Sequence, residues 1–207
     1  MRTFIYLFFF LFVASFVSCK KESPHYTISD GMKQFFVYQK GSYWIYKNDS
    51  TNSTDSTYVN NVIYSTQGIG DDGRHLYSFD LISLYFTSQI LSNYIIGNIC
   101  EETLPKLMIE DNNGFDIVAY IEGLIPNQKA NTNCGSPSGD ILYEEFPSIT
   151  INSVTYSNIV HTTVATQNNS QKYSFYFAKN IGLIQYQYTE NNTIQDSWSL
   201  KRYKVIQ

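Results

Sequence analysis

Apolar and polar residues alternate along much of the chain, as expected for strands with one buried face. In the clearest case, Tyr173, Phe175 and Phe177 fall on one face of a strand. A second alternating run begins after Asn180-Ile181-Gly182. That short connection predicts a tight hairpin in which Gly182 is free to adopt positive φ.

Similar patterns predict an antiparallel meander sheet with at most one or two short helices, so the fold class is mainly β. The helices are predicted around Met32–Tyr38 and Gln89–Ile96. Asp111–Gly114 and Asn152-Ser153 read as hairpin turns, and a change of face near Lys201 predicts a bulge in the last strand. The other predicted strands lie at 42–47, 58–64, 76–86, 107–120, 149–151, 154–156, 159–166 and 195–206.

The N-terminus has the three parts of a secretory signal. Met1-Arg2 is positive, Phe4–Val13 is an apolar run too short to span a bilayer, and Ala14–Ser18 is richer in small residues. Phe16-Val17-Ser18-Cys19 resembles a bacterial lipobox, which implies that Cys19 is lipidated and becomes the mature N-terminus. An ordinary signal peptide with a chance cysteine is the alternative. We therefore predict a lipoprotein signal peptide over 1–18, a flexible tether over 19–30 and a single β-rich domain over 31–207.

Composition narrows the possible partners. The chain has 18 acidic and 14 basic residues, with a formal net charge of −4. This acidic balance argues against binding to nucleic acid. The 18 Tyr and 14 Phe residues argue against wholesale disorder. The expected localisation is the cell envelope, as an outer membrane lipoprotein whose periplasmic or surface face the sequence leaves open.

Three segments resemble a loose group of secreted Bacteroidota-type lipoproteins. They are Gly41–Tyr46, which has the form Gly-x-x-Trp-x-Tyr, Ile149–His161, and Tyr176–Ile184, which has the form Tyr-x-Ala-x-x-Ile-Gly-Leu-Ile. The resemblance implies an antiparallel sheet, either open or curved into a half-barrel as in periplasmic lipoprotein carriers. It implies structural roles for Trp44 and Gly182, and it carries no activity.

No residue pattern indicates catalysis, a metal or a cofactor. His25, His75 and His161 lie far apart in sequence, and no nucleophile-elbow motif is present. The run Asp111–Asp116 lacks the glycine position and the bidentate Glu of a calcium loop. The adjacent acids at 101–102 and 144–145 would point to opposite faces of a strand, which does not suit paired-carboxylate chemistry.

One modification is suggested by the polar loop Asn48–Thr57, which we expect to be solvated. Asp49-Ser50-Thr51 and Asp55-Ser56-Thr57 resemble O-glycosylation sites of the same bacterial group. Ser50 and Ser56 are therefore candidate sites, and an unmodified flexible loop is the alternative.

The function expected from these features is a non-catalytic binding or accessory module anchored in the envelope. Tyrosine combines apolar area with a polar group, which suits a glycan, peptide or lipid ligand. The alternatives are a carrier that holds a hydrophobic ligand in a curved-sheet pocket and, more remotely, a hydrolase.

Cys100 and Cys134 are left over after lipidation of Cys19, and an even pair in an oxidising compartment favours a disulfide. Two separate thiols are the alternative. The bridge would close a loop of about 35 residues and stabilise the domain by roughly 3–4 kcal/mol. Peptide mapping without reductant should recover the two cysteines linked. Alkylation of both in the folded protein would contradict the pairing.

Overall fold

The computed structural model describes residues 23–71, 74–97, 104–111, 116–132, 139–166 and 170–207. Within these ranges thirteen strands form one sheet, joined by one helix, α1 (Asp30–Phe36). The strands are β1 (His25–Tyr26), β2 (Tyr43–Asn48), β3 (Thr54–Asp71), β4 (Arg74–Thr87), β5 (Leu91–Gly97), β6 (Lys106–Asp111), β7 (Asp116–Ile121), β8 (Lys129–Thr132), β9 (Gly139–Ile151), β10 (Val154–Thr166), β11 (Gln171–Ala178), β12 (Gly182–Glu190) and β13 (Thr193–Lys204).

The sheet consists of two meanders joined side by side. Its strand order is β7-β6-β5-β4-β3-β2-β13-β12-β11-β10-β9-β8, and every neighbouring pair in this order is antiparallel. β2 pairs with the last strand, β13, which joins the N-terminal and C-terminal halves. β1 lies outside this order and pairs in parallel with β4.

The sheet is strongly curved but does not close into a barrel. Its two ends are β7 and β8. Curvature brings β7 against β10, where the Thr162 hydroxyl donates a hydrogen bond of 2.6 Å to the Ala119 carbonyl oxygen. A side chain thus makes a bond between strands that have no ladder pairing with each other. The predicted fold class, a mainly β antiparallel meander sheet, is confirmed, and the sheet is not closed into a barrel.

The helix α1 covers one end of the curved sheet. It begins after Ser29, whose hydroxyl accepts a hydrogen bond of 3.1 Å from the Met32 amide and so caps the first turn. Met32 and Phe36, four residues apart, share the buried face. The Phe36 ring meets the Phe177 ring edge-on with 4.9 Å between centroids. The predicted helix near Met32–Tyr38 is confirmed, although it begins two residues earlier.

The first and last of the three resembling segments meet in the core. The Trp44 indole donates to the Ile181 carbonyl oxygen at 2.6 Å, and the Tyr46 hydroxyl donates to the Leu183 carbonyl oxygen at 2.8 Å. Both bonds join residues 137 positions apart in the chain. Trp44 is only 3% exposed, so its predicted place in the core is confirmed.

Gly182 lies in the same contact and has the positive φ, +101°, expected from the sequence. A Cβ atom there would lie 2.8 Å from Oη and 3.0 Å from Cζ of Tyr38. Tyr38 is itself fixed, because it is 1% exposed and its hydroxyl donates to the Phe35 carbonyl oxygen. Glycine is therefore needed at 182 for two reasons, the backbone conformation and the space taken by the Tyr38 ring.

Two local predictions about turns and bulges are confirmed. Asn152 and Ser153 have φ of 49° and 69° and connect β9 to β10 by a two-residue turn. The register between β13 and β2 shifts between Leu200 and Arg202, which places the expected bulge at Lys201.

The helix predicted around Gln89–Ile96 is wrong, because this segment contains strand β5. A register shift between Leu91 and Asn93 allows both Leu91 and Tyr94 to be buried. Their spacing of three residues therefore resembled a helical period although the backbone is extended.

The prediction that the whole loop Asn48–Thr57 is solvated is also wrong. Asn48, Asp55 and Thr57 are buried, and polar groups distant in the chain satisfy their side chains. The Asp55 carboxylate accepts bonds from the Ser88 hydroxyl at 2.6 Å and the Gln89 amide at 2.9 Å. The polar segment 128–139 contributes β8 to the sheet, while 133–138 lie outside the described residues.

The predicted tether overlaps the folded domain. The Ser78 amide donates to the Pro24 carbonyl oxygen at 2.9 Å, β1 pairs with β4, and Ile28 is buried. The ordered fold therefore starts before residue 31, while 19–22 lie outside the described residues. None of the helices among the described residues is long and apolar enough to cross a bilayer.

The contact between Gly182, Tyr38 and Trp44 generates a stability prediction. Trp44→Ala should lower the free energy of unfolding by about 3–5 kcal/mol, because it removes a large buried side chain. Gly182→Val should also be strongly destabilising, because it combines left-handed backbone strain with a collision against Tyr38. Denaturant unfolding would measure both changes.

Gly123 provides the matched control. It has a similar φ of +81°, but the nearest atom to an added Cβ is the Leu104 Cδ2 at 4.0 Å. Gly123→Val should therefore show the backbone strain alone. Equal losses of unfolding free energy in Gly123→Val and Gly182→Val would contradict the proposed collision with Tyr38.

Candidate functional site

The open seam of the curved sheet contains a cleft of about 560 Å³. It lies between β7 on one side and β9 and β10 on the other, and α1 forms a further wall. We call it the seam cleft and define it by its lining residues. These are Gly31, Met32, Phe35, Phe36, Tyr120, Glu122, Tyr143, Glu145, Phe146, Pro147, Asn158, Ile159, Val160 and Lys179.

The apolar part of the seam cleft is held rigidly by aromatic contacts. Phe36 packs against the Tyr120 ring with 5.1 Å between centroids, and Tyr120 packs against Tyr143 at 5.6 Å. Phe36 and Tyr143 are buried, whereas Phe35, Tyr120 and Phe146 are half-buried. The half-buried rings leave apolar surface for a ligand.

Polar groups enter the seam cleft from three elements. The Tyr143 hydroxyl donates a hydrogen bond to the Glu145 carboxylate on the same strand. Glu122 follows β7, and Lys179 lies in the exposed turn after β11, where its amide donates to the Asn158 carbonyl oxygen. The cleft thus combines two carboxylates and one ammonium group with an aromatic lining.

The hydroxyl groups of Tyr120 and Tyr143 remain protonated hydrogen-bond donors over the whole physiological pH range. Burial, followed by the charge of Glu122, raises the pKa of Tyr120 to about 12, although a hydrogen bond with Tyr143 acts in the opposite direction. Burial and the bond to Glu145 raise the pKa of Tyr143. Neither phenol can act as an anion near neutral pH, so both are hydrogen-bonding groups.

Sequence reasoning considered the pair Glu144–Glu145 only as paired carboxylates, and rejected it because the two side chains would point apart. The structure shows them on opposite faces as expected. Glu145 lines the seam cleft, whereas the Glu144 Oε2 atom lies 2.8 Å from His161 Nδ1 on the other face. The available signal was the alternation Ile141, Tyr143, Glu145, which places an acid in phase with core positions.

His161 belongs to a compact cross-strand cluster outside the seam cleft. Its ring stacks on Tyr176 with 4.0 Å between centroids and 10° between planes, and its Nε2 lies 3.3 Å from the Thr163 hydroxyl. Burial lowers the pKa of His161, while Glu144 opposes this effect. A largely buried and fully bonded imidazole of this kind fits a structural role.

The N-terminal histidine makes a second cluster. His25 Nδ1 lies 2.8 Å from the Ser78 hydroxyl, and Nε2 lies 3.1 Å from the Asp80 carboxylate. These contacts bring together a serine, a histidine and an acid, which sequence reasoning did not foresee. The Ser78 amide is bonded to Pro24, so it is not available to stabilise an oxyanion next to the serine. The contacts hold β1 against β4.

The other residues singled out from the sequence are distributed as follows. Ser50 is exposed in the turn between β2 and β3, and Ser56 is half-buried in β3 opposite Ile45. Cys19, Cys100 and Cys134 lie outside the described residues, as does the side chain of His75. Where side chains are described, no group of three or more His, Cys, Asp or Glu residues is arranged to hold a metal ion.

Comparison with known proteins gives little further information. No known protein family matches the chain, and no curated protein matches it. The crystal structure of a candidate lipoprotein from Parabacteroides distasonis is similar with a TM-score of 0.42 and 14% identity, over 83% of this chain and 99% of that chain. At this degree of similarity, any function must be inferred from the residues of this chain.

Proposed function

We propose that the protein is an envelope-anchored lipoprotein with a non-catalytic role, which binds a small ligand in the seam cleft. The observation that carries this proposal is the amphipathic cleft of about 560 Å³ between β7 and β9. Preformed ligand sites in proteins have volumes of roughly 300–1,000 Å³ and combine apolar walls with a few polar groups. The seam cleft has both properties.

The architecture of the cleft supports binding by a rigid scaffold. Its residues come from β7, β9, β10 and α1, and its aromatic rings pack against one another. Little side-chain freedom is then lost when a ligand binds, which favours affinity.

The filled interior supports an open cleft over an enclosed carrier pocket. Near Trp44, the gap between Tyr38, Tyr46, Phe86 and Tyr94 has a volume of about 10 Å³. This is roughly the space for one water molecule. In that part of the core, a hydrophobic ligand would have to displace packed aromatic side chains.

Attachment through Cys19 is the second part of the proposal and is supported by the lipobox-like leader. The chain that follows docks onto the sheet through β1 and then forms α1. The segment next to the proposed anchor therefore also builds a wall of the seam cleft. Binding of nucleic acid is not part of the proposal, because the chain is acidic.

The anchor is tested by replacing the cysteine. Cys19→Ala should move the protein out of the membrane fraction or leave an unprocessed precursor, since a lipid can no longer be attached. Cys134→Ala is the matched control and should leave the protein in the membrane. Unchanged labelling of the Cys19→Ala protein with a fatty-acid analogue would rule out Cys19 as the lipidated residue.

Ligand binding is tested by filling the cleft. An added Cβ at Gly31 has Ser29 Oγ, at 3.6 Å, as its nearest neighbour, so Gly31→Trp should fit and occupy the cleft. Gln34→Trp on the same helix is the control, because Gln34 is exposed and does not line the cleft. The measurement is thermal unfolding against a panel of glycans, short peptides, short-chain lipids and amines.

At least one class of compound in this panel should raise the unfolding midpoint of the wild-type and Gln34→Trp proteins but not that of Gly31→Trp. A stabilisation that persists in Gly31→Trp would place the ligand elsewhere. A panel without any effect on the wild type would count against a binding function.

A further inference from the structure

The seam cleft combines a negative charge excess with accessible aromatic faces. The carboxylates of Glu122 and Glu145 line it, and Lys179 stands in an exposed turn at its rim. The half-buried rings of Phe35 and Tyr120 lie in the same cleft. An ammonium group is attracted both by carboxylates and by the faces of aromatic rings.

The two carboxylates line the same cleft as the Tyr120 and Tyr143 rings. The Glu145 carboxylate accepts a hydrogen bond from the Tyr143 hydroxyl, and the Tyr143 ring packs against Tyr120. Glu122 lies two positions after Tyr120 in the chain and lines the same cleft. The charges of Glu122 and Glu145 also contribute to the raised pKa of Tyr120. A cationic head placed beside Tyr120 would therefore be near both acids.

The hydrogen-bonding capacity of the cleft also favours a ligand that carries an ammonium group. A carboxylate accepts several hydrogen bonds, and Tyr143 uses only part of the capacity of Glu145. An ammonium group has three donors and no acceptor, so it complements such acceptors. An anionic head would face two like charges, whereas an entirely apolar ligand would desolvate both carboxylates without compensation.

We infer that the ligand of the seam cleft is an organic amine with a cationic head between Glu122 and Glu145 and an apolar body against Phe35 and Tyr120. This inference rests on the proposed function, because it names the chemical class for the same cleft.

Three probes with the same aromatic body and different head charges test the inference. They are 2-phenylethylamine, 2-phenylethanol and phenylacetate, titrated calorimetrically into the intact protein in detergent. The amine should bind at least about tenfold more tightly than the alcohol, and phenylacetate should be the weakest. This comparison needs no variant, so it is independent of any folding defect.

Two adjacent glutamates on β9 provide a matched pair of variants. Glu145→Gln should weaken binding of the amine about tenfold, because it removes a charge from the cleft. Glu144→Gln should leave it unchanged, because Glu144 faces His161 on the opposite side of the sheet. Glu122→Gln is a second cleft variant and should resemble Glu145→Gln.

The outcomes separate the ligand class from the proposed function. Equal binding of amine and alcohol that disappears in Gly31→Trp would overturn the cationic class and leave the cleft as a binding site. Equal losses of affinity for the amine in Glu144→Gln and Glu145→Gln would also overturn the cationic class. Absence of binding by all three probes would overturn the inference, and the panel with Gly31→Trp would then decide the proposed function separately.

Discussion

The close approach of Tyr38 to Gly182 is the constraint on which the curved sheet depends. The absence of a side chain at 182 leaves room for the Tyr38 ring, which packs against Trp44 with 4.8 Å between centroids. Trp44 then bonds to the Ile181 carbonyl oxygen, in the turn that leads to Gly182. One turn thereby connects the segment after α1, strand β2 and the β11–β12 hairpin, which are distant in sequence.

Curvature without closure explains why the core is full while a cleft remains at the edge. The sheet bends around an aromatic core, so the described interior near Trp44 contains little free space. Among the described residues, the end strand β7 approaches β10 through the Thr162 to Ala119 contact rather than through a ladder of backbone bonds. The seam cleft lies in this region, and residues of β7, β9, β10 and α1 line it.

Local features were predictable from the sequence because their causes are local. Asn152-Ser153, Gly182 and the bulge at Lys201 each follow from the conformation available to a few neighbouring residues. Asp55 could not be recognised as buried, because its partner Ser88 lies 33 positions away. The seam cleft was missed for the same reason, since it depends on how far the whole sheet curves.

The position of α1 links the cleft to the route by which the chain enters the fold. Pro24 and His25 are fixed to Ser78 on β4, and the next turn of chain already forms the cleft wall that contains Gly31 and Phe35. Pro24 lies five positions after Cys19, and this stretch of chain spans at most about 18 Å when fully extended. With Cys19 as the anchor, Pro24 would therefore stay within that distance of the lipidated residue. The segment that would connect the proposed anchor to the domain thus also supplies a wall of the seam cleft.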